Sequence, residues 1–361
     1  MIVKFRLVCT LAVLSLLSSA CLVEETALPA STEASIPTAT SQPAPAQPWY
    51  SVYFSDPNDP AASSHRGGPD EYLVAAVQEA RASVDVAVFE LVLWNLRDAL
   101  IDAHARGVVV RIVTESDNID EPEIKEIRQA GIEVLGDRRE GLMHNKFLVI
   151  DRQEVWTGSV NYNIGSFYRN DNNLIRIRSS RLAEDYTTEF EEMFLNDEFG
   201  PGSPANTPNP TLTIDGSRLE VYFSPDDGVL DRLLDLVSEA QESIYFLAYS
   251  FTSDALAEAI TARGQQDVTV KGVFEKDQYE SNTGTEFDNL LAAGFDIRLD
   301  GNPRQMHHKV IIIDEAVVVT GSYNFSANAE KRNDENLLIL YNPEIASLYL
   351  EEFWRVFELS K

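Results

Sequence analysis

The chain has only five histidines, and three of them fall in two short stretches of matching pattern. Met143-His144-Asn145-Lys146 is followed by Asp151, Gly158-Ser159 and Asn161; Met306-His307-His308-Lys309 is followed by Asp314, Gly321-Ser322 and Asn324. Each reads HxKxxxxD and then GSxN. A histidine and a lysine two apart, entering a Val/Ile-rich run, share one face of an extended strand, because side chains alternate across it. His308, between them, should point the other way. Imidazole titrates at about 6.5, so it attacks phosphorus when neutral and donates a proton when charged. Two such rings on opposite sides of a phosphodiester would act as nucleophile and general acid in line. Lys146 and Lys309 would neutralise the phosphoryl oxygens, and Asn161 and Asn324 would add hydrogen bonds to charge that grows in the transition state. These groups supply every step themselves, so neither metal nor cofactor is expected. A lone histidine is ordinarily a satisfied core residue; two copies, each with its own lysine and GSxN, argue against that reading. His65 and His104 are read as surface residues.

The two motif copies belong to a longer internal repeat. From Met143 to Leu174 the halves align at a constant offset of 163 without a gap, with 15 identities in 32 positions. Val52-Tyr53-Phe54-Ser55 returns as Val221-Tyr222-Phe223-Ser224 at an offset of 169, so the first half carries six extra residues net. Each copy runs from this strand into a helix (Tyr72 to Ala82; Val229 to Ala240), a strand (Val84 to Phe89; Ile244 to Tyr249) and a second helix (Leu96 to Arg106; Ala255 to Arg263). Strands at Val108 to Val113 and Val268 to Phe274 follow. This alternation predicts an α/β fold with mostly parallel sheets covered by helices.

The boundaries come from composition. Met1 to Arg6 carries two cations, an apolar run extends from Leu7 to Leu17, and Ser18-Ser19-Ala20 precede Cys21, so residues 1–21 read as a signal peptide. Cys21 also fits the lipid-acceptor cysteine of bacterial lipoproteins, although Ser18 stands where such boxes place leucine; cleavage and release is the alternative. Either way Cys9 leaves with the signal and no disulfide can form. Residues 22–49, rich in Ala, Ser, Thr and Pro, read as a disordered tether. A Pro/Gly-rich linker at 200–217 then separates a first domain, 50–199, from a second, 218–361. With 29 Lys and Arg against 58 Asp and Glu, the formal net charge is -29. Such a field weighs against a dedicated nucleic-acid binder, which ordinarily presents a basic patch.

The paired motifs resemble those of the phospholipase D superfamily, and the resemblance covers about Ser51 to Ser360. It implies two tandem α/β/α sandwich domains packed about a pseudo-twofold axis, pooling both motifs in one site, and hence a monomer that is internally a pseudo-dimer. By the same resemblance His144 is the nucleophile that forms a phosphohistidine and His307 the acid, or the reverse. By the resemblance Asp151 and Asp314 are counted with the histidines and lysines in the catalytic set, although holding strand and loop geometry is their expected role within it. Ser159 and Ser322 either bond to the site or serve the turn beside their glycines. One departure stands out. Arg332-Asn333-Asp334-Glu335-Asn336 places Glu335 where the family has an acid that orients a histidine, whereas Arg169-Asn170-Asp171-Asn172-Asn173 has Asn172 there. One histidine is therefore expected to lack a carboxylate partner. Arg138, Arg139 and Arg304, just before the motifs, could line the cleft mouth or sit in solvated loops. The function expected is hydrolysis of a phosphodiester, foremost in a phospholipid of the bacterial cell envelope, with a lipid anchor on Cys21 holding the protein at the membrane. An extracellular nuclease, a phosphatidyl transferase and a non-catalytic anion-binding protein are the alternatives.

Overall fold

The computed structural model describes residues 48–361. The expected signal peptide, Cys21 and nearly all of the tether lie outside the described residues. Within them, the repeat seen in the sequence becomes two sheets of the same topology. The first has seven strands: β1 (Tyr50–Phe54), β2 (Ser83–Val88), β3 (Val109–Thr114), β4 (Glu133–Gly136), β5 (Lys146–Ile150), β6 (Glu154–Gly158) and β7 (Asn173–Arg178), in the order β1-β7-β6-β5-β2-β3-β4. The second contains β8 (Thr211–Ile214), β9 (Ser217–Ser224), β10 (Ser243–Ala248), β11 (Thr269–Phe274), β12 (Asp296–Leu299), β13 (Lys309–Ile313), β14 (Val317–Gly321) and β15 (Glu335–Tyr341). Its order, β8-β9-β15-β14-β13-β10-β11-β12, repeats the first with one strand added at the edge.

Two expectations need correction. The sheets are mixed rather than mostly parallel: only β2-β3-β4 and β10-β11-β12 run parallel, and the remaining pairings are antiparallel. The helical crossovers force parallel pairing where they occur, but β5 returns to β6 through a tight turn with Asp151 and Arg152 both left-handed, as do Asp314 and Glu315 between β13 and β14. The segment 200–217, read as a linker, also supplies β8, which pairs with β9.

Alternation along the strands sorts side chains between cores. Val84, Val86 and Val88 of β2 join an outer cluster of the first half, while Ala87 faces inward. In β10, Ile244 and Phe246 face outward into the matching cluster of the second half, and Tyr245 and Leu247 face inward. The inward faces of both sheets share one central core with two long helices, Ser180–Asn196 and Pro343–Leu359. Each helix starts at a capping side chain: Ser179 accepts from the Leu182 N–H and Asn342 from that of Ile345. Tyr186, Phe190, Tyr349 and Phe353 project from them and are fully or almost fully buried. Burying each such ring stabilises the assembly by about 1.5–3 kcal/mol, so the halves are joined by a core that belongs to both.

Candidate active site

The chain segments before β5 and β13 are each bonded to the other half. The His144 N–H donates to the Asp334 carbonyl at 2.9 Å, and the Asp334 N–H to that of Leu142 at 2.9 Å. The His307 N–H donates to the Asp171 carbonyl at 2.8 Å, and the Asp171 N–H to that of Gln305 at 2.9 Å. These pairs of bonds bring the two motifs to one seam.

The side chains cross the seam too. His144 Nδ1 lies 2.7 Å from Glu335 Oε2, so the first half's histidine is oriented by the second half's carboxylate. His307 Nδ1 lies 3.0 Å from both Asn172 Oδ1 and the Ser159 carbonyl oxygen, both from the first half. Each ring thus holds its proton on Nδ1 toward an acceptor and keeps Nε2 for chemistry. His307 does lack a carboxylate, as expected, but two neutral oxygens fix its orientation. Ser159 and Ser322 brace these acceptors: Ser159 Oγ donates to Asn172 Oδ1 at 2.9 Å and accepts from the Asn173 N–H at 3.0 Å, and Ser322 Oγ accepts from the Asn336 N–H at 2.9 Å. The glycines before them sit at φ values of 150° and 145°, and a Cβ there would collide with the Asn173 and Asn336 carbonyl oxygens.

Lys146 and Lys309 are buried beside the rings, each donating from Nζ to the carbonyl of its own histidine at 2.8 Å. Burial and the two lysines push both histidines well below their usual range. Burial also lowers Lys309 well below the ordinary lysine range and Lys146 to about 7, and raises Glu335 to about 7. Burial thus works against the charged form of every one of these groups. An entering phosphodiester anion would favour the charged forms of both lysines and of a histidine.

Asp151 and Asp314 do not reach the rings, and their assignment to the catalytic set is corrected. Asp151 Oδ1 accepts from the N–H groups of Arg81, Ala82 and Ser83 at 3.1, 2.6 and 3.1 Å. Asp314 Oδ1 does the same for Gln241, Glu242 and Ser243 at 3.1, 2.7 and 2.9 Å. Both follow the far ends of β5 and β13, a strand length of roughly 16 Å from the lysines. His308 points away from its neighbours, as alternation predicts: Nε2 lies 2.9 Å from Glu352 Oε1 and Nδ1 3.1 Å from Asn173 Nδ2. Asn161 and Asn324 each keep a buried Oδ1 with no hydrogen-bond partner among the described residues. Arg139 is committed to Asp334 and Arg138 to Asp197, so neither is a free cation at a cleft mouth; Arg304 is exposed.

Sequence reasoning missed Phe89 and Tyr249. Their rings contact His144 and His307 with centroids 5.4 and 4.3 Å apart, and Lys146 and Lys309 lie over them at 5.5 and 4.6 Å. They occupy matching places at the ends of the repeated strands, which was the available signal. Also missed was the second layer, in which Thr157 donates to Asn336 Oδ1 at 2.7 Å and Thr320 to Asn173 Oδ1 at 2.8 Å, each across the seam.

Known proteins are similar to this chain in sequence and in fold. The chain is 36% identical over 132 residues to the mitochondrial cardiolipin hydrolase of Homo sapiens, covering 37% of this chain and 52% of that protein. It is 32% identical over 137 residues to the phospholipase D of Rickettsia bellii, covering 38% of this chain and 68% of that protein. The chain thus spans about half the length of the first and about two thirds of the second. The crystal structure of phosphatidylserine synthase from Haemophilus influenzae matches with a TM-score of 0.63 at 13% identity, over 86% of this chain and 87% of that one, so the likeness of fold extends across both halves. Residues 73–194 and 233–357, one stretch in each sheet, match the family described as cardiolipin synthase, PLD-like domain, and the chain belongs to that phospholipase D-like family.

Proposed function

We propose that the protein hydrolyses phospholipid phosphodiesters through a covalent phosphohistidine on His144, with His307 as general acid and then general base. The observation that carries the assignment of roles is the unequal pairing of the rings. Attack by Nε2 of a neutral His144 leaves positive charge on the ring, and Glu335 at 2.7 Å stabilises that charge. A protonated His307 held only by neutral oxygens is the stronger acid, which suits proton donation to the departing alcohol. In the first step the bond from His144 Nε2 to phosphorus forms, the bond from phosphorus to the leaving oxygen breaks, and the His307 proton moves to that oxygen. In the second, His307 takes a proton from water, the water oxygen bonds to phosphorus, and His144 is released. Lys146 and Lys309 neutralise the phosphoryl oxygens throughout.

Lipid is favoured over nucleic acid by the net charge of -29 and by the names of the relatives, a phospholipase D and a cardiolipin hydrolase. The proposal extends to a protein exported to the cell envelope and anchored there through Cys21, which rests on the signal-like pattern of residues 1–21.

The test is turnover by residues 48–361, with EDTA present, on phosphatidylcholine, phosphatidylglycerol and cardiolipin vesicles beside single- and double-stranded DNA and RNA. Headgroup release that disappears in His144→Ala supports the reading, cleavage of nucleic acid alone replaces it with a nuclease, and silence on every substrate returns it to an anion-binding protein. With a phosphatidyl p-nitrophenyl ester, whose leaving group needs no acid, His307→Ala should accumulate the phosphatidyl adduct on the His144 peptide. An adduct on His307 in His144→Ala instead would reverse the roles.

A further inference from the structure

The two halves differ at one position that borders the reacting groups. Directly after Phe89, whose ring contacts His144, comes Glu90; directly after Tyr249, whose ring contacts His307, comes Ser250. The place of Glu90 is fixed from both segments of the first motif. The Phe89 N–H donates at 3.0 Å to the carbonyl of Asn145, between the histidine and the lysine, and Leu91 bridges to Tyr162, beside Asn161. Between these two anchors the Glu90 carboxylate accepts from Nδ2 of Asn163. Asn163 is itself held, because its Oδ1 caps the helix Ile164–Tyr168 by accepting from the Ser166 N–H at 2.7 Å. In the second half Ser326 caps the matching helix Ala327–Lys331, and Ser250 meets only the neutral amide of Asn282, at 3.4 Å.

Glu90 is half-buried and attracts the Lys146 ammonium beside His144. Glu121, just before the helix Pro122–Gln129, adds negative potential on the same side. Lys309 also faces a second carboxylate, Glu275, but that group is buried and accepts from the Gln278 N–H at 2.6 Å. Asp277, which acts on Tyr249 together with Glu275, is exposed on the helix Lys276–Ser281. The His144 side thus presents a half-buried carboxylate where the His307 side presents a hydroxyl. One phosphodiester brings one negative charge, which the two lysines answer. A second anion entering on the His144 side meets Glu90.

Resting on the hydrolase reading and the histidine roles above, we infer that Glu90 is a specificity-determining residue that rejects substrates whose retained alcohol carries a further negative charge. The leaving alcohol lies against His307, so the retained alcohol is directed to the His144 side. A diacylglycerol is uncharged there, whereas an internal nucleotide carries the next phosphate of its strand. Selectivity of this kind comes from repulsion and needs no contact with the accepted substrate. For two unit charges roughly 7 Å apart near a protein surface, it amounts to about 3–50-fold in kcat/KM.

Two esters with one leaving group test this on residues 48–361: thymidine 5′-(p-nitrophenyl phosphate) and the same ester carrying a 3′-phosphate. Both release p-nitrophenolate, so they differ only in the retained nucleoside. The parent should cleave the first with a kcat/KM at least about threefold higher, and added salt should shrink that advantage. Glu90→Gln keeps the shape of the side chain, and Glu90→Ser copies Ser250; each should lower the ratio at least about threefold. Glu239→Gln, which removes an exposed carboxylate elsewhere, should keep the parent ratio. Loss of the attraction on Lys146 slows both esters together, so the ratio and not the rate is diagnostic. Equal cleavage of the two esters by the parent, or a ratio that both Glu90 substitutions leave in place, overturns the role of Glu90 and leaves the hydrolase standing. A parent that prefers the 3′-phosphorylated ester also overturns it and turns the site toward nucleic acid. Loss of all turnover in both variants would move Glu90 from selection to the charging of Lys146, and turnover of neither ester by the parent would remove the hydrolase reading and this role with it.

Discussion

At the scale of single residues, the site balances charges that burial disfavours. Glu335 has been raised to about 7 chiefly by burial, so below pH 7 it takes up a proton and can no longer stabilise charge on His144. The expected profile of kcat/KM therefore falls on the acid side of about pH 7. Glu335→Gln should lower kcat/KM by about 10²–10⁴-fold and move the acid limb to lower pH, because the His144 pKa is itself held well below the usual range. An acid limb left in place by that substitution would assign it to another group. Lys146 gives a prediction of opposite character. Its ammonium is disfavoured by burial, which lowers its pKa from 10.5 to about 7. Between those values the unfolded chain binds a proton that the folded chain does not, so stability falls as pH drops through this window and the whole cost is carried below pH 7. Lys146→Met should thus abolish activity yet raise stability by about 1–3 kcal/mol at pH 6, with the gain fading toward pH 10. Melting temperatures of parent and variant at the two pH values check this, and a gain of equal size at both would refute the titration argument.

At the scale of elements, the sequence motif mixes parts with different work. The histidine and lysine face the site, while the aspartate closes the other end of the same strand. Asp151→Ala leaves three N–H groups of the turn before β2 without their acceptor. It should destabilise the protein by about 1–3 kcal/mol, and the fraction still folded at 25 °C should keep kcat within about twofold of the parent; urea titration and assay at saturating substrate check both. A loss of kcat in fully folded variant would return Asp151 to the catalytic set. The elements themselves were legible because β-branched runs and helical spacing recur at fixed offsets in both halves. Strand direction was not, since the choice between a crossover and a tight return at Asp151-Arg152 depends on turn geometry. Nor could spacing show that Glu335 serves His144 rather than its own half's His307. That exchange follows only from the way residues 142–144 and 334 pair across the seam. Phe89 and Tyr249 stayed hidden because an aromatic ring at a strand end ordinarily reads as core.

At the scale of the molecule, the two halves depend on one another for both folding and chemistry. Tyr186 and Phe190 from one half and Tyr349 and Phe353 from the other lie in a single core, and each histidine takes its orienting group from the opposite half. A site of this kind can be built within one chain or by exchange of halves between two chains, and the distinction is testable. In the closed form each site draws both histidines from the same chain, so a mixture of His144→Ala and His307→Ala proteins contains no intact site and should remain inactive at any concentration. If the halves exchanged between chains, a quarter of the sites after unfolding and refolding the equimolar mixture would combine two intact histidines, and activity would return in that proportion. The central core makes the first outcome the expected one: opening it exposes those aromatic rings to water at a cost of about 1.5–3 kcal/mol each. Exchange should therefore be slow enough that mixing without denaturant restores nothing.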